Sequence, residues 1–455
     1  MAKITVGQKR CTVNPLKMSQ SIGAALAFMG VHNAMPLLHG AQGCTSFGLV
    51  LFVRHYREAI PMQTTAMSEV ATVLGGFENV EQALVNIVGR AKPAFIGICT
   101  TGISEIKGDD ISGFLKLIRA THPELDSTAL VDVSTPDFEG AFQDGWAAAV
   151  TRMIEKLVEI PLLANRLTKQ INVLPGCHIT PGDIDELRDI IESFGLDPIF
   201  LPDLSGSLDG HIPEEYSQTT MGGVTLDQIR RMGSSVCTIA LGEQMRGAAI
   251  TLEHRTGVPY RLFERLTGLA ANDALMSYLS SISGVAVPRK FRRQRGQLVD
   301  AMLDGHFYFG GKRVAIAAEP DHLSAMAQWL CEMGCVIQAA VTTTQSPALE
   351  RVSAEEILLG DLEDLEMRAA GADLIVTHSH GRQAAERLNV PLFRMGMPLF
   401  DRLGANHQVS VVYRGTRDLI FEVGNIFLAN AHEPTPASWM RTDAYAQPCA
   451  SIAMQ

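Results

Sequence analysis

The chain of 455 residues holds 40 glycines, yet no Gly-x-Gly occurs anywhere in it. The turn that lets a backbone approach a dinucleotide pyrophosphate is therefore missing. Gly310, Gly311 and Lys312 precede a predicted strand instead of joining a strand to a helix, so a phosphate-cradling loop is missing too. Gly206 and Gly210 are the only glycines with the spacing of a hydrolase elbow, and they enclose Leu208 rather than a serine. There is no HExxH. These absences argue against the commonest enzymatic uses of a βα architecture.

No run of about 18 apolar residues exists to span a bilayer, and the opening MAKITVGQKRCTVNP lacks the apolar stretch of a secretory signal. A cytoplasmic protein is expected. Positive charge is scarce: 38 Lys and Arg stand against 49 Asp and Glu, a net charge of -11. Without a global positive field, neither nucleic acid nor an anionic membrane is expected as a partner. The eight cysteines contain no CxxC pair, so in a reducing compartment neither a disulfide framework nor a zinc ribbon is suggested.

What the sequence does contain is an alternation, from about residue 80, of short β-rich runs with longer helical stretches, the pattern of βα units on parallel sheets. It repeats three times, which predicts three α/β domains over residues 1–165, 166–287 and 288–455. AFIGICTT (94–101) and TALVDV (128–133) are apolar enough to be strands covered on both faces. In the second set, INVLPG leads to a helix that Thr180 caps and Gly195 ends. The third set runs through KRVAIAAEP, VIQAAVTT, ADLIVTHSH and VPLFRMG. A last helix from Thr416 to about Asn430 precedes a tail with prolines at 434, 436 and 448, expected to wrap the body or to be mobile. The basic segment Arg289, Lys290, Arg292, Arg293 and Arg295 reads best as a solvated helix face joining the second and third domains.

Cys44 stands in LLHGAQGCTSFG, a glycine-rich loop that opens a helix. Gly40 and Gly43 would let the backbone come close to a bulky inorganic group, and the helix start is expected to lower the thiol pKa and favour a metal-bound thiolate. A tight turn and a structural cysteine are the plain alternative. One cysteine cannot hold an iron–sulfur cubane, so any cluster here must be shared. Cys99 reads as a buried core thiol, and Cys331 and Cys335 as packing around the helix end at Gly334. Cys177 with His178 follows a strand, where ligands enter open α/β sheets. His378 and His380 form an HxH pair that would bind metal only if a third ligand converged.

Three groups of segments carry a resemblance. HGAQGCTSF with RHYREAIPMQTTAMSEVATVLGG, then ICTTGISEIKGDD with VSTPDFEGAFQDGW, then THSHGRQAAERLNVPLFRMGMPLFDRLG with YRGT resemble the nitrogenase component 1 superfamily, in order from about residue 15 to 432. The resemblance implies three doubly wound, Rossmann-like α/β domains with mainly parallel sheets. The family's catalytic β-type subunit gives three cysteines to an interfacial cluster; here only Cys44 is kept, while the other two positions fall at Met62 and at Gly102, beside Cys99. Met62 and Gly102 are expected to face the vacated part of the interface.

That departure makes the chain similar to the family's cofactor-assembly scaffold. The scaffold implies a 4Fe-4S cluster shared with a NifE-type partner in an α2β2 tetramer, and an iron–molybdenum cofactor precursor held mainly by the partner. It further implies transient docking of the nitrogenase iron protein and a donor protein that delivers the precursor. No catalytic residue is assigned. The alternatives are a catalytic β-type subunit of a nitrogenase-like reductase and a purely structural subunit that stabilises its partner.

Overall fold

The computed structural model describes residues 3–430, apart from 8, 10, 11, 162–166 and 213. The proline-bearing tail, Cys11 and Cys449 lie outside the described residues. A first strand, β1 (Lys3–Val6), is followed by the strands of a first sheet: β2 (Ala34–His39), β3 (Gln63–Thr64), β4 (Phe95–Thr100) and β5 (Ala129–Val133). A second sheet holds β6 (Gln170–Leu174), β7 (Asp197–Phe200), β8 (Thr238–Leu241) and β9 (Tyr260–Phe263). A third holds β10 (Arg313–Ala318), β11 (Val336–Thr342), β12 (Glu356–Leu359), β13 (Leu374–Thr377) and β14 (Leu392–Arg394). Every pairing within the three sheets is parallel.

The strand orders are β3-β2-β4-β5, β7-β6-β8-β9 and β1-β12-β11-β10-β13-β14. Each sheet therefore reverses direction once, between β2 and β4, between β6 and β8, and between β10 and β13. Such reversals leave a crevice at the carboxyl ends of the two strands, where open α/β sheets take their ligands. The β1 strand does not join the first sheet. It adds to the far edge of the third, with Lys3 to Val6 in register with Glu356 to Leu359.

Several local predictions hold. Thr180 accepts the Asp183 N–H at 3.0 Å, Pro181 occupies the first turn, and the helix Pro181–Glu192 is followed by Gly195 in the left-handed region. The five basic residues at 289–295 lie on the exposed side of the helix Arg289–Phe309, where Arg295 pairs with Asp273. The last helix begins at Val412 rather than Thr416. The two residues just before it are anchored from afar: the Asp183 carboxylate accepts the backbone N–H groups of Ser410 and Val411 at 2.6 and 3.2 Å.

The first sheet is built around the wholly buried helix Gln20–Met29, which crosses the helix Phe142–Leu157. The crossing needs two glycines, because a Cβ on Gly23 would strike the Phe142 carbonyl and one on Gly145 would strike that of Gln20. One continuous core links the sheets, from Phe28 and Phe95 through Ile171 and Ile239 to Val314 and Trp329. Trp146 is fully buried in it and donates from Nε1 to the Pro175 carbonyl at 2.9 Å, which ties the first sheet's helix to the turn after β6. No helix among the described residues is long and apolar enough to cross a membrane.

Candidate functional site

The first sheet's crevice is formed by the segments after β2 and β4. His39 ends β2 and is fully buried; Nε2 lies 3.1 Å from Asp109 Oδ2 and Nδ1 lies 3.0 Å from Thr65 Oγ1. The His39 carbonyl accepts the hydroxyls of Thr101 and Ser104 at 3.0 and 3.1 Å. The two strand ends are thus clamped together directly under the Cys44 loop. Burial lowers the His39 pKa, against the opposing pull of Asp109, and favours the neutral ring.

Cys44 occupies the first turn of the helix Gln42–Tyr56 and is half-buried. Its neighbours differ in kind. A Cβ on Gly40 would run into the Thr101 side chain, and the Gly40 N–H already donates to Thr65 Oγ1 at 3.2 Å, so this glycine has a packing reason of its own. Gly43 is exposed and has open space where a Cβ would stand. The buried Thr45 hydroxyl has no hydrogen-bond partner. The expected lowering of the Cys44 pKa is overturned: burial, then the nearby Asp137 carboxylate, push the thiol up, and the backbone N–H at the helix start only partly offsets them.

The two substituted family positions separate. Gly102 is half-buried at the start of the helix Gly102–Lys107, and its N–H donates to Asp137 Oδ2 at 2.9 Å. Met62 does not face outward: it is buried in the core, packed against Gly48, where an unbranched thioether fills the gap a glycine leaves. Cys99 is fully buried in β4, and burial pushes its thiol far up. Around the Cys44 helix the surface is apolar. Phe47, Val50, Val73, Leu74, Ile106 and Phe138 are all exposed, Leu74 at 79% and Ile106 at 80%. So much exposed large apolar side chain in one region marks an interaction face.

The remaining sequence candidates divide. Cys335 donates from Sγ to the Phe309 carbonyl at 3.4 Å, a packing role, and Cys331 is half-buried beside the core. His378 and His380 stand edge to face, 5.1 Å between ring centroids, and no third ligand converges on them. Among the described residues no three His, Cys, Asp or Glu gather closely enough to hold a metal ion. Cys177 and His178, by contrast, open into an internal cavity with His55, Glu319, His322 and His378. Sequence reading missed His55, Glu319 and His322. The only signal for the last two is their place just after β10.

A half-exposed thiol with open backbone beside it and an orphaned hydroxyl behind it fits one corner of a shared metal–sulfur cluster. The same residues do not fit a cluster held by this chain alone.

Known proteins resemble the chain over nearly its whole length. Residues 19–428 match the model of the family described as nitrogenase component 1 type oxidoreductase. The nitrogenase iron-molybdenum cofactor biosynthesis protein NifN of Bradyrhizobium diazoefficiens is 60% identical, over 98% of this chain and 97% of that protein. NifN of Nostoc sp. is 50% identical over 94% and 96%. Among solved structures, nitrogenase Cp1 at pH 6.5 superimposes with a TM-score of 0.88 at 30% identity, covering 93% of this chain and 94% of that one. From its three parallel sheets to its nearly full-length relatives, the chain belongs to the nitrogenase component 1 type oxidoreductase family, alongside the NifN proteins.

Proposed function

We propose that this chain is a subunit of the cytoplasmic scaffold complex on which the nitrogenase iron–molybdenum cofactor is matured. The full-length likeness to proteins named for that biosynthesis supports the role. The observation that carries the site is the half-buried Cys44, at a sheet crevice and among exposed apolar side chains, while the resemblance puts the family's further cysteines at the core residue Met62 and at Gly102. Cys44 gives one thiolate to a 4Fe-4S cluster at the subunit interface, and a NifE-type partner gives the other three in an α2β2 tetramer. Gly43 leaves the room such a cluster needs, and Gly40 shapes the turn that presents Cys44. When bound, the cluster supplies one-electron transfer, with a potential set by burial and by hydrogen bonds to its sulfurs.

The chain's own part is to present Cys44, exclude water with the apolar face, and hold the strand ends through His39, Thr101 and Ser104. The precursor of the cofactor is held mainly by the partner. The nitrogenase iron protein docks transiently, and a separate donor delivers the precursor. The chain is a scaffold and electron-relay subunit rather than a turnover enzyme.

The test is anaerobic co-purification of the chain with its partner, wild type beside Cys44→Ala, scoring iron per complex and the paramagnetic resonance of the reduced cluster. Iron and signal are expected to fall while the complex survives. Unchanged iron with an unchanged spectrum makes Cys44 a structural residue and sinks the ligand assignment.

A further inference from the structure

Asp137 stands near Cys44 on the loop between β5 and the helix Phe142–Leu157, and its position is fixed from several sides. Its Oδ2 accepts the Gly102 N–H at 2.9 Å, and its Oδ1 accepts the Ser21 hydroxyl at 3.3 Å. The buried Gln20 side chain donates to the Pro136 carbonyl at 3.4 Å and to the Glu139 carbonyl at 3.0 Å, which pins the loop on both flanks of the aspartate. The residue is nonetheless exposed. A carboxylate held by an N–H and a hydroxyl on a pinned loop is a charge with a fixed address, unlike the mobile end of a long surface side chain.

The address is informative. A Cβ built on Gly102 would come within 3.3 Å of both the Cβ and the Oδ2 of Asp137. A side chain on residue 102, where the resemblance puts a cysteine of catalytic relatives, would therefore start against this carboxylate, and the glycine leaves the space to it. The other such position, Met62, is buried in the core and brings no charge. Capping does not explain the aspartate, because Ser104 Oγ already closes that end of the helix by accepting the Thr101 N–H at 2.9 Å. Help to Cys44 as a ligand does not explain it either, since a negative charge at that distance opposes the thiolate. What remains is an effect on charge that arrives later, with an electron.

We infer that Asp137 sets the potential of the shared cluster site, by holding one negative charge in the space that a side chain on residue 102 would take. The inference deepens the Cys44 reading and rests on it. Asp137 gives no bond to iron and acts through space. Reduction adds one electron, from an external one-electron donor, to the cluster core; no bond forms or breaks and no proton is taken up. A fixed negative charge opposes that electron and keeps the potential low, through the net-charge and exposure dependence that governs such clusters. A relay of lower potential is the stronger donor to whatever follows it.

The experiment uses the full chain in its native complex, purified anaerobically, wild type beside Asp137→Asn, Asp137→Glu and Cys44→Ala, with the paramagnetic resonance of the reduced cluster followed against applied potential. Asp137→Asn keeps an oxygen for the Gly102 N–H and removes the charge. Its iron per complex and melting temperature are expected to match the parent, while its ratio of reduced to oxidised cluster at a fixed potential rises about tenfold, equivalent to about 59 mV for one electron. Asp137→Glu restores the charge and should return the ratio to within about threefold of the parent. If Asp137→Asn fails to assemble, Asp137→Ser carries the same expected rise. A ratio unchanged to within about threefold in the neutral variant overturns the inference. Loss of iron in Asp137→Asn also overturns it, by making the residue a ligand or a support and not a remote charge. Cys44→Ala separates the two readings: iron and signal kept there overturn the ligand assignment and this inference with it, whereas a Cys44-dependent cluster of unmoved potential overturns this inference alone.

Discussion

Asp183 accepts the backbone N–H of Ser410 at 2.6 Å, across a sequence distance of 227 residues, and in doing so anchors the approach to the last helix on the helix Pro181–Glu192. The same carboxylate closes the capping box of its own helix with Thr180. Fully buried, it is satisfied by these donors together with the Val411 N–H and the Ser410 hydroxyl. Asp183→Ala is expected to cost about 2–4 kcal/mol by leaving several buried N–H groups unpaired. Denaturant unfolding of the full chain checks it, with Asp183→Asn expected to recover part of the loss; a change within about 0.5 kcal/mol would show that the cap is dispensable.

Gly40 and Gly43 should part company under substitution. Gly40→Val drives a side chain into Thr101 and is expected to destabilise by about 1–3 kcal/mol. Gly43→Ala meets nothing and sits in a helix, so thermal stability should hold or rise by up to about 1 kcal/mol. If a cluster approaches this backbone closely, Gly43→Ala nevertheless lowers the iron content of the complex. Iron per complex and melting temperature, read on the same samples, separate the two effects.

Leu74→Asp and Ile106→Asp place charges on the apolar face around Cys44. Both side chains are largely exposed, so each variant should fold within about 0.5 kcal/mol of the parent. Association with the partner is expected to weaken about tenfold or more for each charge, equivalent to about 1.4 kcal/mol. Sedimentation or analytical gel filtration of the complex gives the answer, and undiminished association would place the interface elsewhere.

His39 gives the fold an acid sensitivity of known sign. Burial holds the folded ring below the ordinary histidine pKa, whereas the unfolded ring titrates near 6.5. The stability that comes from the neutral ring is complete above about 6.5 and is lost as pH falls from there toward the folded value, because only the unfolded chain takes up the proton. His39→Gln should therefore melt at a temperature that declines less between about pH 7 and about pH 5 than the parent. Parallel slopes for the two proteins would remove His39 from the account.

Legibility from sequence followed the contrast between faces. Strands such as AFIGICTT and the helix capped by Thr180 announced themselves through apolar runs and end signals. The helix Gln20–Met29 did not, because it is buried on every side and shows no polar stripe to set its period. The β2 strand was hidden by Pro36, a residue that argues against a central strand. It is tolerated because β3 pairs only with Leu37 and Leu38 and leaves the strand open beside the proline. Cys44 was found through the resemblance and its glycines. The central cavity was not, since its side chains come from strand ends far apart in the chain and meet only when two sheets face one another.

The parallel pairing of β1 with β12 sets an order of events during synthesis. Thr5 bonds to Glu356, 351 residues downstream, and Lys9 reaches the carboxylates of Asp361, Glu363 and Asp364 beyond it. At about 5–20 residues per second, a ribosome needs roughly 20–70 s to make that stretch. Throughout that interval the opening segment has no native neighbour and must be kept from other sheet edges. A strand made so long before its partner is then among the last parts of the chain to find its place.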